Sequence, residues 1–461
     1  MSLLIKNGQI ITAEKDFFAD VYIKNEKVNL IEQNLDRDAQ DIIDAKGKYV
    51  IPGGIDVHTH LDMPYGEITS SDDFETGTIA ASFGGTTSII DFATQSKGKS
   101  LQDAFNIWQK KAKGKAVIDY GFHMIITELP DSQLAEMDEL INNGITSFKM
   151  FMAYPDRLML DDNTIFKAMK QAQKNGSLIL IHAENGIEID EIVKNALAEG
   201  KTAPIFHALT RPAETEGEAV ERSIELAEKS GCSLYIVHLS TNDGLEKISE
   251  ARKKGFPVFA ETCPQYLFLS LEDMNNQNFE DAKLIFTPPV REKWHQQKLW
   301  EGLINNQLQV VATDHCPFCF NGQKDLGKND FTKIPSGGPG IENRMQLLFE
   351  GGVNGRRFSI NRWVDLTSTT PAKLFGMYPK KGTIEIGSDA DIVIWDPNKM
   401  HTISSETHHM NVDYSLYEGM KIQGSAETVI SRGEIIISNN KFIGEVGRGR
   451  FIKRKKGNYN F

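Results

Sequence analysis

Two patterns of hydrophobic and polar positions divide the chain. From residue 51 to about 315, short apolar runs alternate with longer amphipathic stretches, as in strands buried on both faces and linked by helices. Eight such runs end near His60, Asp91, His123, Lys149, His182, His238, Glu261 and Asp314. A βαβ series of that count predicts an α/β fold, a (β/α)8 TIM-like barrel. The first run, 51–57, reads as one buried strand. Ala213–Ser230 has helical periodicity, with Pro212 suited to its first turn and Gly231 to its stop.

The chain ends read differently. Short alternating segments occupy residues 3–11 and 20–24, and the alternation returns after about residue 380, in 391–395 and 428–437. Each set alone would leave an apolar face uncovered, which predicts a small β-sandwich formed by both chain ends with the barrel inserted between them. The expected division is residues 1–50 for the first part of the sandwich, 51–379 for the barrel and 380–461 for the rest of the sandwich and a basic tail. That tail carries Arg448, Arg450, Lys453, Arg454, Lys455 and Lys456. Such a run predicts a solvated or disordered end, with contact to an acidic surface of a neighbouring subunit as the alternative.

Composition narrows the function. Lys and Arg number 51 against 63 Asp and Glu, a net charge of −12, which argues against nucleic acid or an anionic membrane as partner and favours small-molecule chemistry. No apolar segment is long enough to span a bilayer and the first residues lack the layout of a cleavable signal, so a cytoplasmic location is expected. Four cysteines, Cys232, Cys263, Cys316 and Cys319, are too few for a disulfide framework and are expected as free thiols. Cys316 and Cys319 have redox or zinc-site spacing, but no second pair accompanies them, and loop cysteines beside an active site are the favoured reading.

The candidate chemistry lies at the strand ends. His58 and His60 share one face of a strand and can grip one cation through neutral ring nitrogens. Lys149, His182, His238 and Asp314 close four later apolar runs, and in a barrel such residues converge at the C-terminal mouth. His123 and Glu261 occupy similar positions but read as structural and are left outside the site. In a binuclear model His58 and His60 hold one metal with Asp314, while His182 and His238 hold the other. Lys149 spans them as a carbamate, because an ammonium has no lone pair for a metal and a neutral amine can add carbon dioxide. Spacing by itself favours a simpler lysine, its stem along the barrel rim and its ammonium on Asp314 or in solvent. Asp314 could relay a proton from metal-bound water to a leaving nitrogen or serve only as a ligand. Tyr154 could donate to an oxyanion or simply pack.

The motifs resemble one family closely. Residues 52–62 (PGGIDVHTHLD), 84–87 (GGTT), 147–154 (SFKMFMAY), 182–185 (HAEN), 238–240 (HLS), 312–318 (ATDHCPF) and 339–344 (PGIENR) are similar to those of the dihydropyrimidinase and D-hydantoinase family of the amidohydrolase superfamily. The resemblance implies a metal-dependent hydrolase barrel with a β-sandwich, two zinc ions, a carbamylated lysine (N6-carboxylysine), hydrolytic ring opening of cyclic ureides and a homotetramer. Its ligands fall on His58, His60, Lys149, His182, His238 and Asp314, and its oxyanion tyrosine on Tyr154. The substrate would be a dihydropyrimidine or a 5-substituted hydantoin, opened to a 3-ureido acid or an N-carbamoyl amino acid by a bridging hydroxide. Thr287 stands where serine is usual and Ser336 where asparagine is usual, at positions understood to hold the ring amide through backbone groups.

Dihydroorotase-like relatives carry an arginine two residues after the paired histidines, for a substrate carboxylate. Asp62 stands there, which disfavours an anionic ring. Allantoinase, and a catalytically silent scaffold protein of the dihydropyrimidinase-like kind, are the alternatives; retention of all six ligands argues against the second. Side-chain selectivity is expected from Leu61, Met63, Tyr65 and Phe151.

Overall fold

The computed structural model describes residues 2–274 and 279–459. At its centre eight strands form one sheet in sequential order: β1 (Gly54–Thr59), β2 (Thr86–Thr94), β3 (Asp119–Ile125), β4 (Ser147–Phe151), β5 (Leu178–His182), β6 (Leu234–Ile236), β7 (Val258–Thr262) and β8 (Val310–Val311). All neighbours pair in parallel. The seam between β8 and β1 is crossed just beyond β8: the His60 amide donates to the His315 carbonyl at 2.8 Å and the Thr313 amide to the Asp56 carboxylate at 3.1 Å. This is the (β/α)8 barrel. Its interior is packed with Val57, Phe92, Leu180, Tyr235 and Phe375 among others, a filled core rather than a channel.

Each expected apolar run supplies a barrel strand, although the marked residues do not all end them. Asp91, His123 and Lys149 lie inside β2, β3 and β4, whereas His238 and Asp314 lie just beyond β6 and β8. The run 51–57 is also not one strand. Tyr49–Pro52 pairs with Ile392–Thr402 in the outer sheet, and the barrel begins after Gly53. A Cβ on Gly53 would lie 2.0 Å from the Thr87 hydroxyl, so the chain passes between the two sheets at a point where only glycine fits. Ala213–Ser230 is a helix that stops at Gly231 in the left-handed region (φ 74°), while Pro212 takes the extended cap position rather than the first turn.

Both chain ends build the sandwich. One sheet joins Lys27–Glu32, Asp20–Lys24, Ser2–Lys6 and Asp41–Asp44. The other places Gln9–Ile11 and Tyr49–Pro52 beside Ile392–Thr402 and Lys421–Ser431. Leu3, Ile5, Val21, Val50, Ile392 and Ile430 fill the space between them, the covering each set needs from the other.

The basic tail is not disordered: its backbone is bonded to the barrel and Arg454 is buried, while Lys453, Lys455 and Lys456 remain exposed as expected. The Ile452 amide donates to the Tyr120 carbonyl at 2.7 Å, and Arg454, 3% exposed, donates to the Phe122 carbonyl and the Ser147 hydroxyl at the start of β4. Arg450 and Arg448 pair with Glu26 and Glu434. The tail therefore crosses the N-terminal mouth of the barrel, with Arg448, Arg450 and Arg454 bonded within the chain and Lys453, Lys455 and Lys456 exposed. Among the described residues no helix is long and apolar enough to cross a membrane.

Candidate metal centre and substrate cavity

His58, His60, Lys149, His182, His238 and Asp314 meet at the C-terminal mouth. The Nε2 of His58 lies 3.2 Å from Lys149 Nζ and 3.1 Å from Asp314 Oδ1, and the same oxygen lies 3.2 Å from His60 Nε2. His182 Nδ1 and His238 Nε2 are 2.9 Å apart, and ligand atoms of His58, His238 and Asp314 all lie within 4.8 Å of one another. Tetrahedral ligands about 2.0–2.1 Å from a zinc ion would stand about 3.4 Å from each other. The spacing and the donor types, imidazole and carboxylate, both fit divalent metal.

Two carboxylates outside this set orient its imidazoles. Glu261 takes the Nδ1–H of His58, and Glu184 Oε2 lies 2.7 Å from His182 Nε2. In each ring the other nitrogen is left with its lone pair toward the cluster. The Tyr235 hydroxyl and the His238 amide in turn donate to Glu261 at 2.8 and 3.2 Å. Neither glutamate was expected in the site. Glu261 carried the same signal as the ligands, a polar residue near the end of an apolar run, whereas Glu184 carried only its place two residues after His182. His123, by contrast, is held by Ser147 and the Val57 carbonyl at 2.6 and 2.9 Å inside the barrel.

Burial and charged neighbours compete over the protonation of these groups; burial acts to lower His58, but Asp314 and Glu261 raise it overall. For three other rings burial wins. It lowers His182 and His238 and takes His60 down to about 4, so these three rings are neutral donors near pH 7. Burial also lowers the Lys149 ammonium to about 8 against the pull of Asp314 and Glu261. For Asp314 burial acts upward, but the His58 and His60 imidazoles outweigh it and hold the carboxyl well below its usual range.

Three site residues occupy the left-handed backbone region: Tyr154 (φ 66°), His238 (φ 38°) and Asp314 (φ 53°). Each such conformation costs a non-glycine residue about 1 kcal/mol or more, so the site carries backbone strain.

A cavity of about 210 Å³ opens over the cluster, faced by His60, Lys149, His182, His238 and Asp314, with His58 behind them. Met63, Tyr65, Ile125, Phe151 and Leu158 form an apolar wall, and Tyr154, Thr287, Ser336 and Gly337 a polar one. The Thr287 and Ser336 hydroxyls are 2.7 Å apart. Burial pushes the Tyr154 phenol up, so it remains a donor. Leu61 does not reach the cavity: it is fully buried against Gly77. Asp62 also lies outside the lining, its carboxylate 3.8 Å from Lys111, and so sets no charge preference for the ring. All four cysteines are free, and Cys316 lines the cavity.

The model of the amidohydrolase family matches residues 49–436. The chain is 53% identical to a D-hydantoinase of Geobacillus stearothermophilus over 457 residues, 99% of this chain and 97% of that protein. Among solved structures it resembles the dihydropyrimidinase of Brevibacillus agri, with a TM-score of 0.98 and 53% identity over 99% and 100% of the two chains. The L-hydantoinase of Arthrobacter aurescens is more distant, with a TM-score of 0.89 and 30% identity over 98% and 99% of the two chains.

Proposed function

The chain belongs to the amidohydrolase family, and from that premise we propose that it opens cyclic ureide rings by metal-dependent hydrolysis. The substrates are 5,6-dihydropyrimidines, giving 3-ureido acids, and 5-substituted hydantoins, giving N-carbamoyl amino acids. What carries the reading is the convergence of six ligand-type side chains, spread over the whole barrel sequence, beneath one cavity of small-ring size. The much closer match to a protein named D-hydantoinase than to one named L-hydantoinase supports the D configuration at hydantoin C5.

His58, His60 and Asp314 would hold one divalent ion and His182 and His238 a second, with zinc favoured by the imidazole-rich donor set. Lys149 would join both as a carbamate, its neutral amine adding carbon dioxide with loss of a proton. When bound, the two ions supply Lewis acidity and a water that ionises near neutral pH. Asp314, held as a carboxylate, takes the proton of the attacking water. Tyr154 donates its phenolic hydrogen to the oxyanion that forms as the ring carbonyl is attacked. Asp314 then returns the proton to the ring nitrogen as its bond to carbon breaks. The apolar wall of Met63, Tyr65, Phe151 and Leu158 receives the ring substituent, and backbone groups around Thr287 and Ser336 hold the ring amide. Assembly as a homotetramer rests on the family likeness.

The test is hydrolysis of dihydrouracil, 5-substituted hydantoins, allantoin and dihydroorotate by zinc-loaded protein, with metal content measured on the same sample. The expected result is turnover of the first two classes with about two metals per chain, as a binuclear site requires. Full metal loading with no turnover of either class would overturn the reading.

A further inference from the structure

Lys324 is a buried cation near the cavity that the chemistry above leaves without a task. It begins the short turn Lys324–Gly327 and is 0% exposed. Its ammonium donates to the Ile285 and Pro335 carbonyls, both at 3.0 Å. Those partners are neutral, so the ammonium gives up its hydration with no carboxylate to offset the loss. An apolar side chain of the same size would spare that loss but leave the Pro335 carbonyl without this donor.

The two carbonyls mark what the lysine joins. Ile285 precedes Phe286 and Thr287, and Pro335 precedes Ser336 and Gly337; Thr287, Ser336 and Gly337 all line the cavity. The Gly337 amide donates to the same Ile285 carbonyl at 3.0 Å, and the Thr287 and Ser336 hydroxyls meet at 2.7 Å. Behind them His207 donates from Nε2 to the Phe286 carbonyl at 3.0 Å. Lys324 itself does not line the cavity. It sits at the back of the polar wall, at the point where the wall's two segments come together.

We propose that Lys324 is a positioning residue for substrate recognition: its Nζ, bonded to the Ile285 and Pro335 carbonyls, fixes the separation of segments 285–287 and 335–337, so that their backbone groups grip the ring amide of the ureide together. The proposal rests on the reading of the cavity as a cyclic-ureide site. One Nζ bonded to both carbonyls ties the two segments together in either protonation state, and Lys324 touches none of the metal ligands. Lys324 therefore acts on ring binding and leaves the metal-ligand set unaltered.

Steady-state kinetics on dihydrouracil and a 5-substituted hydantoin, with metal content and urea unfolding measured on the same samples, tests this. For Lys324→Met the expected outcome is a KM raised about tenfold with kcat within about threefold, the signature of lost ground-state binding, and unchanged metal content. Lys324→Gln and Lys324→Arg, which keep N–H donors in the pocket, should recover part of the KM. A folded, metal-loaded Lys324→Met with wild-type KM would overturn the proposal. So would a loss confined to kcat, or failure of all three variants to fold, which would make Lys324 a packing element. If the wild-type protein itself turned over no ureide, the functional reading would fall first, an outcome distinct from wild-type turnover that Lys324→Met leaves unchanged.

Discussion

Glu261 holds His58: its carboxylate takes the Nδ1–H of the imidazole and leaves Nε2 facing Lys149 and Asp314. The two residues are 203 positions apart in the chain and come together because β7 and β1 curve around the same interior.

Glu261→Ala is expected to lower metal affinity about 10- to 100-fold, the usual effect of removing a carboxylate that orients a ligating histidine. Tyr235→Phe, which removes one donor to the same carboxylate, should act in the same direction and less strongly. Metal retained after dialysis against a chelator measures both. Equal retention by Glu261→Ala and wild type would show that His58 needs no such partner.

Gly53→Ala should destabilise the fold by about 1–3 kcal/mol, the range for forcing atoms into a packed interior. The added Cβ would collide with Thr87 at 2.0 Å, on a strand that cannot retreat. Gly47→Ala has open space around the added Cβ, although its backbone is left-handed (φ 76°), and should cost less. Urea unfolding of the two variants provides the comparison.

Lys324 also makes a pH-dependent contribution to stability. Burial takes its ammonium from an ordinary 10.5 to about 7, so between those values the unfolded chain binds a proton that the folded chain has lost. Stability from this group therefore rises as pH increases from about 7 toward 10.5. Wild type should gain on Lys324→Met between about pH 7 and about pH 9.5 in urea unfolding. An equal difference at both would contradict the burial effect.

Much of the site is legible in the sequence because strand patterning is local. A polar residue near the end of an apolar run marks a strand terminus, and in a barrel all termini on one side share a mouth. That logic locates His58, His60, Lys149, His182, His238 and Asp314, and it marks Glu261 without revealing its task. Polarity at a strand end does not say whether a side chain faces a cavity or the back of another side chain. Leu61 and Asp62 show the same gap from the opposite side: they are the two residues after His60, yet neither lines the cavity.

The tail is the plainest case of context overriding composition. A run of basic residues reads as solvated when its own neighbours in sequence are all that is known. Arg454 finds the Phe122 carbonyl and the Ser147 hydroxyl more than 300 residues away, and Arg450 finds Glu26. Periodicity over a few residues determined the strands, the two-ended sandwich and the candidate ligands, because those depend on the alternation of side chains along a local backbone. Tertiary structure alone decided the pairing of Glu261 with His58, the place of Lys324 behind the substrate wall and the course of the tail. Those depend on which distant segments share a neighbour, and that information is carried by packing across the whole fold.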